Sequence, residues 1–124
     1  MTIKINKEHI NKKILILNEI CDNDNKNEEI KNLKNNDCEL FINNNLCEFK
    51  KYFIPEKEGE YIIKINFKRK LKNLSYMFKN CNNIIKIDLS LFNTYEVTKM
   101  HKMFENCSSL EEINLSPFPI TNYF

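Results

Sequence analysis

The stretch Met77-Phe78-Lys79-Asn80-Cys81-Asn82-Asn83-Ile84-Ile85-Lys86-Ile87-Asp88-Leu89-Ser90-Leu91-Phe92 returns 26 residues later as Met103-Phe104-Glu105-Asn106-Cys107-Ser108-Ser109-Leu110-Glu111-Glu112-Ile113-Asn114-Leu115-Ser116-Pro117-Phe118. Met, Phe, Asn, Cys, Ile, Leu, Ser and Phe recur in place, and Ile84 is matched by Leu110. Upstream, Leu71 pairs with Val97 and Leu74 with Met100. The changing positions, Lys79/Glu105, Ile85/Glu111, Lys86/Glu112 and Asp88/Asn114, are mostly polar, as solvent-facing positions should be. A constant apolar skeleton at a period in the twenties marks units that bury their apolar faces by stacking on one another.

Within each unit, Ile84, Ile87 and Leu89, like Leu110, Ile113 and Leu115, follow the L-x-x-L-x-L spacing of a leucine-rich-repeat strand. Those side chains are expected to point inward. Ile85, Lys86, Asp88, Glu111, Glu112 and Asn114 then face out, with Lys86 beside Glu112 across parallel strands. Val97, Met100, Met103 and Phe104 stand at helical spacing, which predicts a helix from Val97 to Asn106. Cys81 and Cys107 become equivalent, stacked core positions.

The units, M-F-x-N-C-x-x-[IL]-x-x-I-x-L-S-x-F with Phe92 to Met100 linking them, resemble BspA-like leucine-rich repeats of bacterial and protist surface proteins. The resemblance covers residues 71–118. It implies adhesion or protein binding through the repeat surface, and no catalytic residues. The chain has two units, about 71–96 and 97–118, where that family usually has many, and after Phe118 the pattern stops.

Upstream, residues 1–58 read as a β-rich unit. Ile3 and Ile5 share one face of a strand over Thr2 to Asn6, and Ile14 to Leu17 is a buried-strand candidate with a helix over residues 8–20 as its competitor. The polar stretch at 22–37 reads as a solvated loop with one helical turn around Glu28 to Leu33. Its opening Asp-Asn-Asp-Asn-Lys-Asn imitates a calcium loop, but Lys26, Asn27 and Leu33 occupy positions where the EF-hand needs Asn or Asp, Gly and Glu. Two runs, Glu39 to Ile42 and Leu46 to Phe53, flank Asn43-Asn44-Asn45; asparagine tolerates positive φ, so they predict a hairpin. After a turn at Pro55 to Gly59, Tyr61, Ile63, Ile65 and Phe67 share one face of a strand. Two units are fewer than the roughly three a repeat stack needs, so this strand is expected to cap the first unit. The expected fold is α+β: a short two-unit leucine-rich-repeat solenoid in residues 59–124, capped by the β-rich unit in residues 1–58.

Composition excludes several functions. Asn, Lys and Ile number 21, 18 and 17 of the 124 residues, a bias that fits an AT-rich genome and makes single asparagines and lysines uninformative. The longest apolar run, Ile14 to Leu17, is far short of the roughly 18 residues a membrane span needs. Met1 to Glu8 lacks a secretory signal, so the chain as given is expected in the cytoplasm, with a cell-surface location expected if it is a fragment of a longer protein. A net charge of +2 argues against a dedicated nucleic-acid binder, and a single glycine excludes phosphate-cradling glycine loops. Five cysteines without a C-x-x-C pair read as free thiols, with no metal site and no cofactor. Neither His9 nor His101 has the partners of a catalytic base. Lys68, Arg69, Lys70 and Lys72 form the densest basic cluster, a weak candidate for anions. The reading is a non-enzymatic protein-interaction module working through Ile85, Lys86, Asp88, Glu111, Glu112 and Asn114. Self-association through the open end of the repeats is a second route to a partner. The alternative is a shortened copy or fragment of a multi-repeat adhesion protein with a structural role.

Overall fold

The computed structural model describes residues 1–19 and 27–118. Cys21, the calcium-like opening of the polar loop at 22–26, and residues 119–124 lie outside them. Among the described residues there are eight strands: β1 (Thr2–Ile5), β2 (Ile14–Leu15), β3 (Cys38–Ile42), β4 (Asn45–Cys47), β5 (Tyr52–Phe53), β6 (Gly59–Phe67), β7 (Ile84–Asp88) and β8 (Glu112–Asn114). Six of them form one mixed sheet in the order β4-β3-β6-β1-β7-β8, and β2 pairs with β5 in a separate ribbon.

The local signals explain most of these strands. Asn43 and Asn44 take φ of 50° and 67° and make the two-residue turn between β3 and β4, a geometry asparagine tolerates at little steric cost. In β6, Ile63 is buried and Tyr61, Ile65 and Phe67 are half-buried on its inner face, while Ile62 and Lys64 on the other face are exposed. The segment after β2 ties the ribbon to the repeat, since the N–H groups of Ile16 and Leu17 donate to Lys51 and that of Asn18 to Met77.

The α+β solenoid does not hold. Among the described residues only a 3-10 turn at Lys7–His9 and the four-residue α1 (Glu28–Lys31) are helical, and the repeat strands belong to the mixed sheet, whose strands do not close into a solenoid. The helix expected over Val97 to Asn106 is a chain of turns. Tyr76 and Asn80 in the first unit, and Lys102 and Asn106 in the second, have positive φ, so the backbone leaves the right-handed helix every four residues. In the first unit the hydrogen bonds alternate instead. Met77, Lys79 and Cys81 donate three residues back, while Leu74, Tyr76, Phe78 and Asn80 donate to the carbonyls of Lys99, His101, Met103 and Glu105 in the next unit. Apolar residues at i, i+3 and i+4 suit this coil as well as a helix, which is why periodicity misled.

The units do stack in the expected 26-residue register, β7 pairing parallel with β8 through Lys86↔Glu112, Ile87↔Ile113 and Asp88↔Asn114. Phe78 lies parallel to Phe104 at 5.7 Å, the Asn106 amide donates to Asn80 Oδ1 at 3.0 Å, and Lys79 sits 3.1 Å from Glu105. The neighbour of β7 on its other side is β1, not the strand over Tyr61 to Phe67; β6 lies one lane further on. One core of buried residues runs from Ile3, Ile5 and Leu17 through Leu40 and Ile63 to Leu74, Phe78, Ile84 and Met103.

Candidate functional site

The outward residues of β7 and β8 form the base of the site. Lys86, Asp88, Glu111, Glu112 and Asn114 line one shallow depression of about 640 Å³ together with Met1, Thr2, Ile62, Ile87 and Ile113. The parallel register sets the predicted pair side by side, Lys86 Nζ 3.8 Å from Glu112 Oε1. Both are exposed, so the pair contributes little to stability and remains available to another molecule. Asp88 Oδ1 accepts the Ser90 N–H at 2.9 Å; the Ser90 hydroxyl first, and this backbone bond second, hold its carboxyl below the ordinary range, so Asp88 carries charge at neutral pH. Its counterpart Asn114 accepts the Ser116 N–H in the same way.

Ile85 departs from the expectation. It is 8% exposed, where an outward position was predicted. Thr2 pairs with Lys86 and Ile3 with Ile84, so Ile85 is the extra residue of a β-bulge with no partner on β1. A bulge shifts the alternation of side chains by one. Ile85 therefore does not line the depression. Ile113 departs the other way: its repeat mate Ile87 is 2% exposed, but Ile113, on the edge strand, is 44% exposed. Ile62, 52% exposed, flanks the charged strip with apolar surface, whereas Ile113 stands in register with the buried Ile87 and turns to the other face of the sheet.

The basic cluster does not converge. Arg69 Nε stands 3.9 Å from Asp37 and Lys70 Nζ lies 5.3 Å from the Tyr95 ring centre. The backbone N–H of Lys68 donates to the Asp37 carbonyl and that of Lys72 to the Glu29 carboxylate. Arg69 and Lys70 line a second cavity, between β6 and β7, which Lys68 and Lys72 do not reach.

The histidines sit apart in local structure. His9 Nδ1 accepts the Asn6 N–H at 3.0 Å, and the exposed His101 rests edge-on to Tyr76 while its N–H donates to Ser75 Oγ. Burial raises the thiols of Cys38 and Cys107 to about 11 and that of Cys81 further. Cys38, Cys47, Cys81 and Cys107 are unpaired, and among the described residues no group of three or more His, Cys, Asp or Glu is placed to hold a metal. Nor, among those residues, is any helix long and apolar enough to cross a membrane.

Sequence reasoning missed Asn27, read as part of a solvated loop. It is buried, its amide donates to the carbonyls of Asn73 and Ser75, and its Oδ1 accepts the Ile30 N–H that starts α1. Glu29 on α1 accepts from the N–H groups of Lys72 and Asn73. The polar insert thus grips the head of the first repeat, and an asparagine at the N-cap of the helical turn was the signal available.

A family model described as "Mycoplasma protein of unknown function, DUF285" matches residues 22–123. No curated protein and no solved structure matches the chain.

Proposed function

The chain belongs to the DUF285 family, and on that premise we propose that it is a non-enzymatic protein-interaction module that binds through the exposed strip of β7 and β8. One observation carries the reading: charged Lys86, Asp88, Glu111 and Glu112 line a single depression together with the exposed Ile62. Apolar surface beside ordered charge is the composition of a recognition patch, in which apolar contacts supply affinity and charges select the partner. The chemistry elsewhere supports a role without catalysis. Raised thiol pKa values are the reverse of what an activated nucleophile needs.

The partner is another protein rather than a second copy meeting β8 edge to edge. Such a pairing would bring Glu111 and Glu112 of two molecules onto neighbouring strands, and like charges on paired strands repel. A structural role in a longer repeat protein is the second reading, favoured by the open edge of β8 beside the exposed Ile113.

Capture of proteins from a lysate by wild type, by Lys86→Ala/Glu112→Ala and by the distant Lys7→Ala tests the first reading. Loss of the bound proteins in the double variant alone is expected. The same proteins on all three baits would overturn the assignment of this face.

A further inference from the structure

The loop that follows β7 turns two large apolar side chains outward. Leu91 is 98% exposed and Tyr95 85%, the two highest values for large hydrophobic residues among the described residues. The loop is nevertheless held from behind. The Phe92 N–H donates to the Leu89 carbonyl, which puts Leu91 in the apex of a tight turn, and Asn93 Oδ1 accepts the Tyr95 N–H. Phe92 meets Phe67 edge-on at 5.7 Å and stacks on Phe118 at 6.0 Å, and the Thr94 hydroxyl donates to the Pro117 carbonyl. Leu91 is thus an apolar tip on an anchored loop.

A single exposed leucine is ordinary; its neighbours set this one apart. Lys70 Nζ lies 5.3 Å from the centre of the Tyr95 ring, a contact that ties the aromatic residue to the basic segment and leaves the lysine charged. Lys68 and Lys72 are exposed on that segment, and the exposed Lys99 is bridged in parallel to Asn73 beside it. Among the described residues no carboxylate stands within ion-pair distance of Lys68, Lys70, Lys72 or Lys99. The carboxylates nearby are half-buried. Glu29 is taken up by the N–H groups of Lys72 and Asn73, and Asp37 by the Lys34 N–H and Arg69, which leaves Glu96 on the loop itself.

These cations do not converge on one point, so a small anion finds no cradle among them. A charged surface is different. Its potential acts over a Debye length of about 8–10 Å, so dispersed lysines are read together, and mobile headgroups can gather beneath each of them. The tip argues in the same direction. Leu91 is convex, so a folded partner would need a matching pocket, and a nucleic acid offers an aliphatic side chain nothing; a fluid acyl layer takes it without either.

We propose that loop 91–95 and segment 68–72 form a docking surface for a bilayer containing anionic lipid. Leu91 enters the acyl boundary, Tyr95 rests at the level of the headgroups, and Lys68, Lys70, Lys72 and Lys99 lie over their negative charge. The surface is separate from the strip on β7 and β8, and its test does not depend on that reading.

The test is co-sedimentation of the full chain with phosphatidylcholine vesicles, with and without about 30% phosphatidylserine. Binding at least about tenfold tighter to the anionic vesicles is expected, with a further loss of about fivefold for each of Lys70→Gln and Lys72→Gln. Leu91→Ser should weaken binding about tenfold, whereas Leu46→Ser, at a 65% exposed leucine on the distant edge strand β4, should leave it unchanged. The chain contains no tryptophan, so Leu91→Trp supplies a single reporter whose emission should move to the blue on anionic vesicles while that of Leu46→Trp stays in place. The proposal is overturned if anionic vesicles are not bound, if neutral vesicles are bound as well, or if Leu91→Ser binds like wild type. It is equally overturned if polyglutamate or single-stranded DNA at equal charge strips the protein from the vesicles, since the surface would then read charge alone.

Discussion

Asn27 offers the sharpest test of how the polar insert is held. Replacing it with alanine removes the cap of α1, worth about 1 kcal/mol, and leaves the buried Ser75 carbonyl and the partly buried Asn73 carbonyl without their donor, each worth about 1 kcal/mol or more. The sum is about 3 kcal/mol, a large share of the roughly 5–15 kcal/mol typical of a domain. In urea, with a slope of about 1.5 kcal/mol per molar, the midpoint should fall by about 2 M. Asn27→Asp separates the two contributions. Aspartate caps a helix as well as asparagine, so a surface cap would tolerate it. Here its carboxylate would face two carbonyl oxygens, so at pH 7 it should be at least as damaging as alanine. Its folded-state pKa would lie above the unfolded value, so stability should return as the pH drops and the acid regains a donor. An Asn27→Asp protein within about 0.5 kcal/mol of wild type at pH 7 would refute the clamp.

The repeat and the thiols supply three further predictions. Ile87→Ala should cost about 3 kcal/mol in urea unfolding, whereas Ile113→Ala at the equivalent but exposed position should cost less than about 1 kcal/mol; equal losses would contradict the burial of the two units. Asn106→Ala should destabilise by about 1–2 kcal/mol, since alanine pays for the positive φ and loses the bond to Asn80, and Asn106→Gly should lose less because glycine accepts that φ; the order of the two melting temperatures decides it. Thiols whose folded pKa lies above the unfolded value stabilise the fold below the unfolded pKa and lose that contribution as pH rises to the folded one. The urea midpoint should therefore drop between about pH 9 and 11 through Cys38 and Cys107, and a Cys38→Ser/Cys107→Ser protein should show a flatter profile over that range.

Strands with a clean period of two were legible: β1 from Ile3 and Ile5, β6 from Tyr61 to Phe67, and the β3-β4 turn from its asparagines, although the arm expected over Leu46 to Phe53 divides, Asn45–Cys47 pairing with β3 and Tyr52–Phe53 with β2. The 26-residue alignment was legible because stacking puts equivalent residues in contact, and it predicted the pairing of Lys86 with Glu112 before any coordinates. Helix was misread because a period near 3.6 records which residues face the core, not where backbone N–H groups go. In the first unit alternate N–H groups cross to the carbonyls of the second. The bulge at Ile85 was hidden for a related reason. A bulge is set by the partner strand, and β1 lies some eighty residues away in the sequence. Asn27 and Asn35 were lost in the compositional bias, yet one clamps α1 and the other accepts the Phe49 N–H at 2.7 Å.

The cavity between β6 and β7 shows what kind of information a single strand's pattern lacks. Both lengths were readable in advance, a short strand at Thr2 to Asn6 and a long one ending at Phe67. Neither length implies a gap until the order β6-β1-β7 is known, because a short strand at a sheet edge leaves nothing open whereas one between two longer strands leaves a slot. The expected order put the long strand directly against the first repeat, where no slot would exist. Inserting β1 moved β6 one lane out and left Ile65, Phe67, Leu89 and Phe92 half-buried, with the rings of Phe67 and Phe92 meeting edge-on at 5.7 Å. Their residual exposure is therefore a consequence of topology.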